Sequence, residues 1–246
     1  MNTYRGLAAV YDHLVVGVDF GQWIDYVESL LNHFGFKAAS VLDLACGTGN
    51  TLLPFAMRGY RSQGVDISPE MIAVAREKAL SAAAEVEYHV GDITEFLLEQ
   101  PVELVTCFHD GLNYIVDPDR LKKVFENSYK NICSGGMFVF DMNAVIWIGV
   151  VGGGAEVIDE DGMTIIYRTS HDIDRSLWTV DLTCFLREGE IYHKFTETHR
   201  ERGYSPHEVE GILKEAGFMP LAVYDAFSFN PPDQGSRRHF YVARRP

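Results

Sequence analysis

Asp43-Leu44-Ala45-Cys46-Gly47-Thr48-Gly49-Asn50 is the stretch on which the reading of this chain turns. The run Ser40 to Ala45 is short and apolar, as a buried parallel strand requires. Cys46 to Gly49 turns it into a helix carrying Leu52, Leu53 and Met57. Gly47 and Gly49 remove side chains where backbone must turn sharply and approach a ligand closely. A helix start beyond such a loop offers free N–H groups to a negative group. In open α/β sheets ligands bind at these carboxyl ends of strands. The spacing is Asp-x-Ala-x-Gly-x-Gly. A dinucleotide fingerprint would read Gly-x-Gly-x-x-Gly, and Leu52 stands where its third glycine would be.

Two acidic positions downstream extend the pattern. Asp66 ends a second strand, Tyr60 to Asp66, where a carboxylate can accept from both hydroxyls of a ribose diol. Asp92 follows a third strand, Val86 to Val90, where a carboxylate can accept from an adenine amino group between apolar neighbours. Ser68 then Pro69 is a helix start, a capping hydroxyl followed by the residue best suited to the first turn. Leu104 to Phe108 reads as a fourth strand. Asp117-Pro118 opens a helix with Leu121, Val124 and Phe125 inward, and Ser134 to Gly136 turns into a fifth strand, Met137 to Asp141. Upstream, Trp23, Val27, Leu30, Leu31 and Phe34 recur at helical spacing until Gly35. Strands separated by such helices predict right-handed crossovers and a parallel sheet covered on both faces.

From about Val157 to Arg202 the period changes to two. Even positions from Trp178 to Leu186 are mostly apolar, and Asp159–Gly162 and Arg187–Glu190 have hairpin-turn composition. This predicts an antiparallel β insertion. Ser205-Pro206-His207-Glu208 is a capping box that restarts a helix ending at Gly217, followed by strands Leu221–Tyr224 and His239–Ala243.

The stretches VLDLACGTGN, GVDISPEMI, VGDI and ELVTCFHDGLNYI together resemble the class I S-adenosylmethionine (SAM)-dependent methyltransferases. The resemblance covers about residues 36–141 and the end from about 205. It implies a Rossmann-like α/β fold with a mostly parallel seven-stranded sheet and an antiparallel insertion between strands five and six. It divides the chain into residues 1–143 and 204–246 as the SAM-binding domain, with 1–35 a helical lid, and 144–203 as an insertion walling the substrate pocket. It implies SAM as cofactor, S-adenosylhomocysteine as product and a small-molecule methyl acceptor. Gly47 and Gly49 would lie against the methionine part, Asp43 would order the loop, and Asp66 would hold the ribose. Asp92 and Ile93 would flank the adenine, with Ala45, Ile67, Met71 and Phe108 completing the cofactor contacts. Tyr11-Asp12-His13-Leu14, Trp23, Asp110-Gly111-Leu112-Asn113-Tyr114 and the run His199 to Tyr204 resemble a bacterial subgroup. There Gly111 replaces the usual serine, so any hydroxyl contact made at that place is missing. On this resemblance Tyr11 and Trp23 would close over the cofactor. Sugar-amine N-methyltransferases and glycine N-methyltransferase resemble the chain more distantly.

His109, just past strand four, is the candidate base or acceptor-orienting group. Asn113, His199, Glu201, Arg202 and Tyr204 are candidate acceptor contacts, against a plain salt-bridged strand end, and Tyr114 reads as packing. His193 and His199 lie on one strand face but too far apart to share a metal, so no metal site is expected. An amine acceptor would need orientation and eventual proton removal, whereas an oxygen acceptor would demand a base. Two alternatives share the fold: a non-catalytic SAM-binding protein and an NAD(P)-dependent oxidoreductase.

The chain has 246 residues, 47% hydrophobic, which suits one large α/β domain with an insertion. Its formal charge of -14 disfavours nucleic acid. The one candidate basic patch is Arg237, Arg238, Arg244 and Arg245. A membrane span needs roughly 18 or more consecutive apolar residues, and none occurs. The start, MNTYRGLAAVYDHL, has no signal-peptide pattern. Cys46, Cys107, Cys133 and Cys184 are scattered, which predicts reduced thiols in a cytoplasmic protein. Composition sets no oligomeric state.

Overall fold

The computed structural model describes residues 8, 11–145, 154–160 and 162–246. The beginning of the expected lid, residues 1–7 and 9–10, and residues 146–153 and 161 of the insertion lie outside the described residues.

The central strand β1 (Ser40–Leu44) is buried on both faces, as its apolar run requires. It pairs in parallel with β2 (Arg61–Asp66) on one side and β4 (Val102–Cys107) on the other. β3 (Val86–Val90) extends the sheet beyond β2, and β5 (Ile132–Asn143) beyond β4, both in parallel. β11 (Arg238–Arg244) runs antiparallel to β5 and to β10 (Met219–Asp225). The sheet has seven strands in the order β10-β11-β5-β4-β1-β2-β3. It is the mostly parallel sheet expected, reversed at β4/β1, where the crossovers leave in opposite directions and open a crevice.

Four helices start at a capping side chain. In α2 (Phe20–His33) the Asp19 carboxylate accepts from the Gln22 N–H. α4 (Pro69–Ser81) and α5 (Pro118–Asn131) carry proline in the first turn behind Ser68 and Asp117 caps. α6 (Pro206–Glu215) has the full capping box of Ser205 and Glu208. α5 and α6 cover one face of the sheet through Leu121, Val124, Phe125, Val209 and Leu213. α2, α4 and the short α3 (Leu52–Met57) cover the other. Met57 is 74% exposed, because α3 ends at it and only Leu52 and Phe55 of this helix are fully buried. β5 starts five residues earlier than expected. Ile132 already pairs with Val102 directly after α5, and the Ser134–Gly136 turn is an irregularity within the pairing, not a break before it.

The period-two segment forms a separate four-stranded antiparallel sheet, β6 (Gly154–Glu160), β7 (Met163–Asp172), β8 (Leu177–Glu188) and β9 (Ile191–Arg202), in sequence order. Its small core is Met163, Ile165, Val180, Leu182 and Cys184. Tyr11 and Leu14 of α1 (Tyr11–Leu14) pack on that core, so the N-terminal segment touches the inserted sheet. Among the described residues no helix is long and apolar enough to cross a membrane. Three of the four candidate patch arginines are engaged within the fold, and Arg237 is exposed. Arg238 is an internal ion-pair partner, Arg244 donates to the Phe34 carbonyl, and Arg245 bonds the Tyr129 and Ile132 carbonyls and stacks on Tyr129.

Candidate active site

The carboxyl ends of β1, β2, β3 and β4 open into a cavity of about 670 Å³, within the range of small-molecule sites. Ala45, Cys46, Gly47, Thr48, Asp66 and Ile67 contribute to its wall. A larger and more open concavity, about 1080 Å³, lies at the opposite end of the sheet, where α3 and α4 end. It collects none of the motif residues.

Asp66 organises the loop. Its carboxylate accepts from the Gly47 N–H at 2.9 Å and the Ser68 N–H at 2.8 Å. Burial nevertheless raises its pKa. Two backbone bonds leave further lone pairs on the carboxylate for a diol. Asp43 lies beneath the loop, buried, accepting from the hydroxyls of Thr51 at 2.5 Å and Thr106 at 2.7 Å, and burial pushes it up to about 6. It orders the loop without lining the cavity. The two loop glycines divide their work. Around Gly47 there is open space where a side chain would be. Gly49 does not line the cavity; a Cβ there would sit 2.5 Å from the Tyr88 hydroxyl, so this glycine exists for close packing.

Ile67, Met71, Asp92, Ile93 and Phe108 all line the cavity. Asp92 accepts from the Thr94 N–H at 2.8 Å and hydroxyl at 2.7 Å, and pairs with Arg120 at 3.0 Å. Tyr11 reaches the cavity from α1, its phenol pushed up by burial and then by Asp110, Asp12 and Asp66.

His109 lines the cavity. Its ring lies against Phe20, centroids 5.0 Å apart, and stacks on Trp23 at 4.4 Å. Trp23 itself is not on the cavity wall; it backs the histidine. Burial holds the imidazole down to about 4, partly offset by Asp110, so it is neutral at physiological pH. The buried His109 Nε2 has no hydrogen-bond partner among the described residues. His109 and Asp110 both have left-handed backbone, φ 56° and 58°. Non-glycine residues there cost about 1–3 kcal/mol each and persist only where surroundings impose them. Here the fully buried Asp141 accepts from the His109 N–H at 2.8 Å, while Arg238 bonds both Asp141 and, at 2.9 Å, Asp110.

The expected acceptor contacts fare differently. Tyr204 is core: its hydroxyl donates to the Ile115 carbonyl. The Arg202 guanidinium pairs with Glu208 at 3.2 Å and stacks on Tyr204, facing away from the cavity toward the start of α6. Asn113 is a buried clamp, its amide oxygen accepting from the Asn143 N–H and its nitrogen donating to the Arg202 carbonyl. His199 is buried beside Tyr114, Nδ1 to hydroxyl 3.3 Å, and Glu197, and is not on the wall. Tyr114, expected to be packing, does line the cavity. Buried polar side chains with built-in partners hold one strand end against another, which a linear motif cannot distinguish from ligand contacts.

Sequence reasoning passed over two clusters. Asp12 accepts from Thr48 at 2.6 Å, Asn50 at 2.9 Å and Lys78 at 2.8 Å, joining α1, the glycine loop and α4. The other is Asp110, Asp141 and Arg238; Glu201, a candidate acceptor contact, is not on the cavity wall but buried close by, accepting from the Asn143 amide and pushed up to about 8 by burial and then by Asp110. Asp141 lies two residues before the end of β5, an acidic residue in an apolar strand, and that signal was available. Among the described residues no group of His, Cys, Asp and Glu is placed to hold a metal.

A family model described as "Methyltransferase domain" matches residues 41–136. YqeM of Bacillus subtilis, named as a methyltransferase, is 29% identical over 98% of this chain and 97% of its own. A dTDP-4-amino-2,3,4,6-tetradeoxy-D-glucose N,N-dimethyltransferase of Saccharopolyspora spinosa is 29% identical, with 85% of this chain and 84% of that one covered. The crystal structure of an S-adenosylmethionine-dependent methyltransferase from Clostridium acetobutylicum matches with a TM-score of 0.87 at 30% identity, covering 98% of both chains. A motif built for nucleoside binding, a cavity at the strand ends and full-length similarity therefore agree. The protein is a methyl-transferring enzyme with S-adenosylmethionine as cofactor, not a nicotinamide oxidoreductase, and the chain belongs to the S-adenosylmethionine-dependent methyltransferases.

Proposed function

We propose that this enzyme methylates the nitrogen of a small-molecule amine, with Asp66, Gly47 and Ala45 holding the cofactor and His109, Tyr11 and Tyr114 facing the acceptor. The cavity residues fit the cofactor. Asp66 keeps acceptor capacity for the ribose, and open space at Gly47 leaves room beside the loop. Ile67, Met71 and Ile93 offer apolar surface to a base, with Asp92 at its polar edge. Bound S-adenosylmethionine supplies a methyl group already activated by its sulfonium. The chain's own residues orient the acceptor and exclude water.

The state of His109 carries the choice of nitrogen over oxygen. An imidazole held down to about 4 is a weak base and is poorly matched to deprotonating a hydroxyl at neutral pH. A neutral amine needs no base before attack, and a neutral imidazole can orient it by one hydrogen bond. The amino-sugar dimethyltransferase relative supports the same acceptor chemistry. In this reading α1, which brings Tyr11 to the cavity wall, belongs to the lid, the described residues of the inserted sheet support it from behind without lining the cavity, and the enzyme works in the cytoplasm with reduced thiols.

Calorimetry of S-adenosylmethionine with wild type and Asp66→Ala tests the cofactor half. Micromolar binding lost on substitution is expected; unchanged binding would refute the assignment. A panel of amino-sugars, simple amines and phenols, followed by S-adenosylhomocysteine release, tests the acceptor half. Turnover confined to phenols would overturn the amine reading.

A further inference from the structure

Four contacts around His109 close into a ring. The His109 N–H donates to Asp141 at 2.8 Å, and Asp141 is bound by the Arg238 guanidinium. That guanidinium lies over the Trp23 ring at 5.6 Å, and Trp23 stacks back on the His109 imidazole at 4.4 Å. A further arm of Arg238 reaches Asp110 at 2.9 Å. Arg238 therefore touches both parts of the structure that set the imidazole's position: the left-handed turn at 109–110 and the aromatic wall.

The registry explains how one side chain does this. β11 lies antiparallel to β5, with Phe240 opposite Asp141 and Arg238 opposite Asn143, so Arg238 and Asp141 project from the same face of adjacent strands. The planar, forked guanidinium can bind two carboxylates and stack on an indole at once, which an ammonium cannot. Left-handed conformations at two consecutive non-glycine residues need such an external constraint.

We propose that Arg238 is a positioning residue that, through Asp141, Asp110 and Trp23, holds the His109 imidazole at the acceptor face of the cavity. This rests on the reading of that face as the acceptor side. It explains why a cationic side chain is drawn against the sheet, only 23% exposed, and why Trp23 lies behind the cavity wall.

The test is histidine imidazole NMR on the full chain saturated with S-adenosylhomocysteine, with His109→Gln used to assign the His109 resonance. In Arg238→Lys the positive charge stays while the fork is lost. The proposal expects the His109 midpoint to rise by at least about one pH unit as the turn relaxes and the ring gains water. S-adenosylhomocysteine should bind within about twofold of wild type, since Arg238 is not on the cavity wall. A His109 titration identical to wild type overturns the proposal. Should Arg238→Lys fail to fold, Asp110→Asn cuts the same fork at a partly exposed position. Losing that carboxylate's charge alone would lower the His109 midpoint, so a rise supports release of the turn and a fall refutes it. The acceptor reading fails separately, if His109→Gln turns over the amine panel at the wild-type rate while the imidazole shift in Arg238→Lys persists.

Discussion

The Asp12 carboxylate and the Lys78 ammonium meet at 2.8 Å, joining the N-terminal helix to the helix that follows β2. Thr48 and Asn50 of the glycine loop bond the same carboxylate. Asp12 therefore ties the segment carrying Tyr11 to the loop lining the cofactor cavity. Cutting this tie with Lys78→Met should weaken S-adenosylhomocysteine binding about three- to tenfold without removing any cavity-wall residue. Both charges are partly exposed, so solvent screening limits the effect. Calorimetry at low and high salt checks it; equal affinity in variant and wild type would refute the tie.

Gly111 is a close-approach position. A Cβ there would lie 2.9 Å from the Cys107 sulfur and 3.1 Å from the Ala45 Cβ. A serine there should therefore overpack the floor of the cavity, costing about 1–3 kcal/mol. For a chain of this length the melting temperature should fall by about 2–4 °C per kcal/mol. Thermal denaturation of Gly111→Ser measures it, and an unchanged melting point would show that the floor can yield.

Tyr204→Phe separates a structural tyrosine from an acceptor contact. The variant leaves the Ile115 carbonyl without its phenol donor, a loss of about 1–3 kcal/mol. The expected outcome is a lower urea midpoint with unaltered acceptor KM. A raised KM at unchanged stability would return Tyr204 to the acceptor site.

Glu201 makes stability depend on pH. Its folded pKa, about 8, lies above the ordinary value of 4.5, because burial and then Asp110 disfavour the charged form. The folded state thus holds a proton that the unfolded state releases. Its contribution is complete below the unfolded pKa and is lost as pH rises through about 8. Glu201→Gln, neutral in both states, should remove this slope. Urea denaturation between the ordinary value of 4.5 and about pH 8 should show wild type losing stability with rising pH faster than the variant; parallel curves across that window would contradict it.

The alternation of strands and helices, the capped helix starts at Ser68, Asp117 and Ser205 and the switch to period two at the insertion were all legible in the linear chain, because each is set by neighbours within a few residues. So was the gathering of Gly47, Asp66 and Asp92 at one edge of a parallel sheet, since each lies at or just beyond the carboxyl end of β1, β2 or β3, and all three line the same cavity. What the chain order could not reveal is which polar residues face the cavity and which face each other. Asn113, Arg202 and Tyr204 sit in a motif-like context yet spend their hydrogen bonds on Asn143, Glu208 and Ile115. Arg238 reads as one of four C-terminal arginines, and only the pairing of β11 with β5 brings it to Asp141 and Asp110. Local propensity and periodicity act along the chain. The partner of a buried charge is chosen by desolvation, which penalises every alternative that leaves it unpaired, and that choice is made only when distant strands come together.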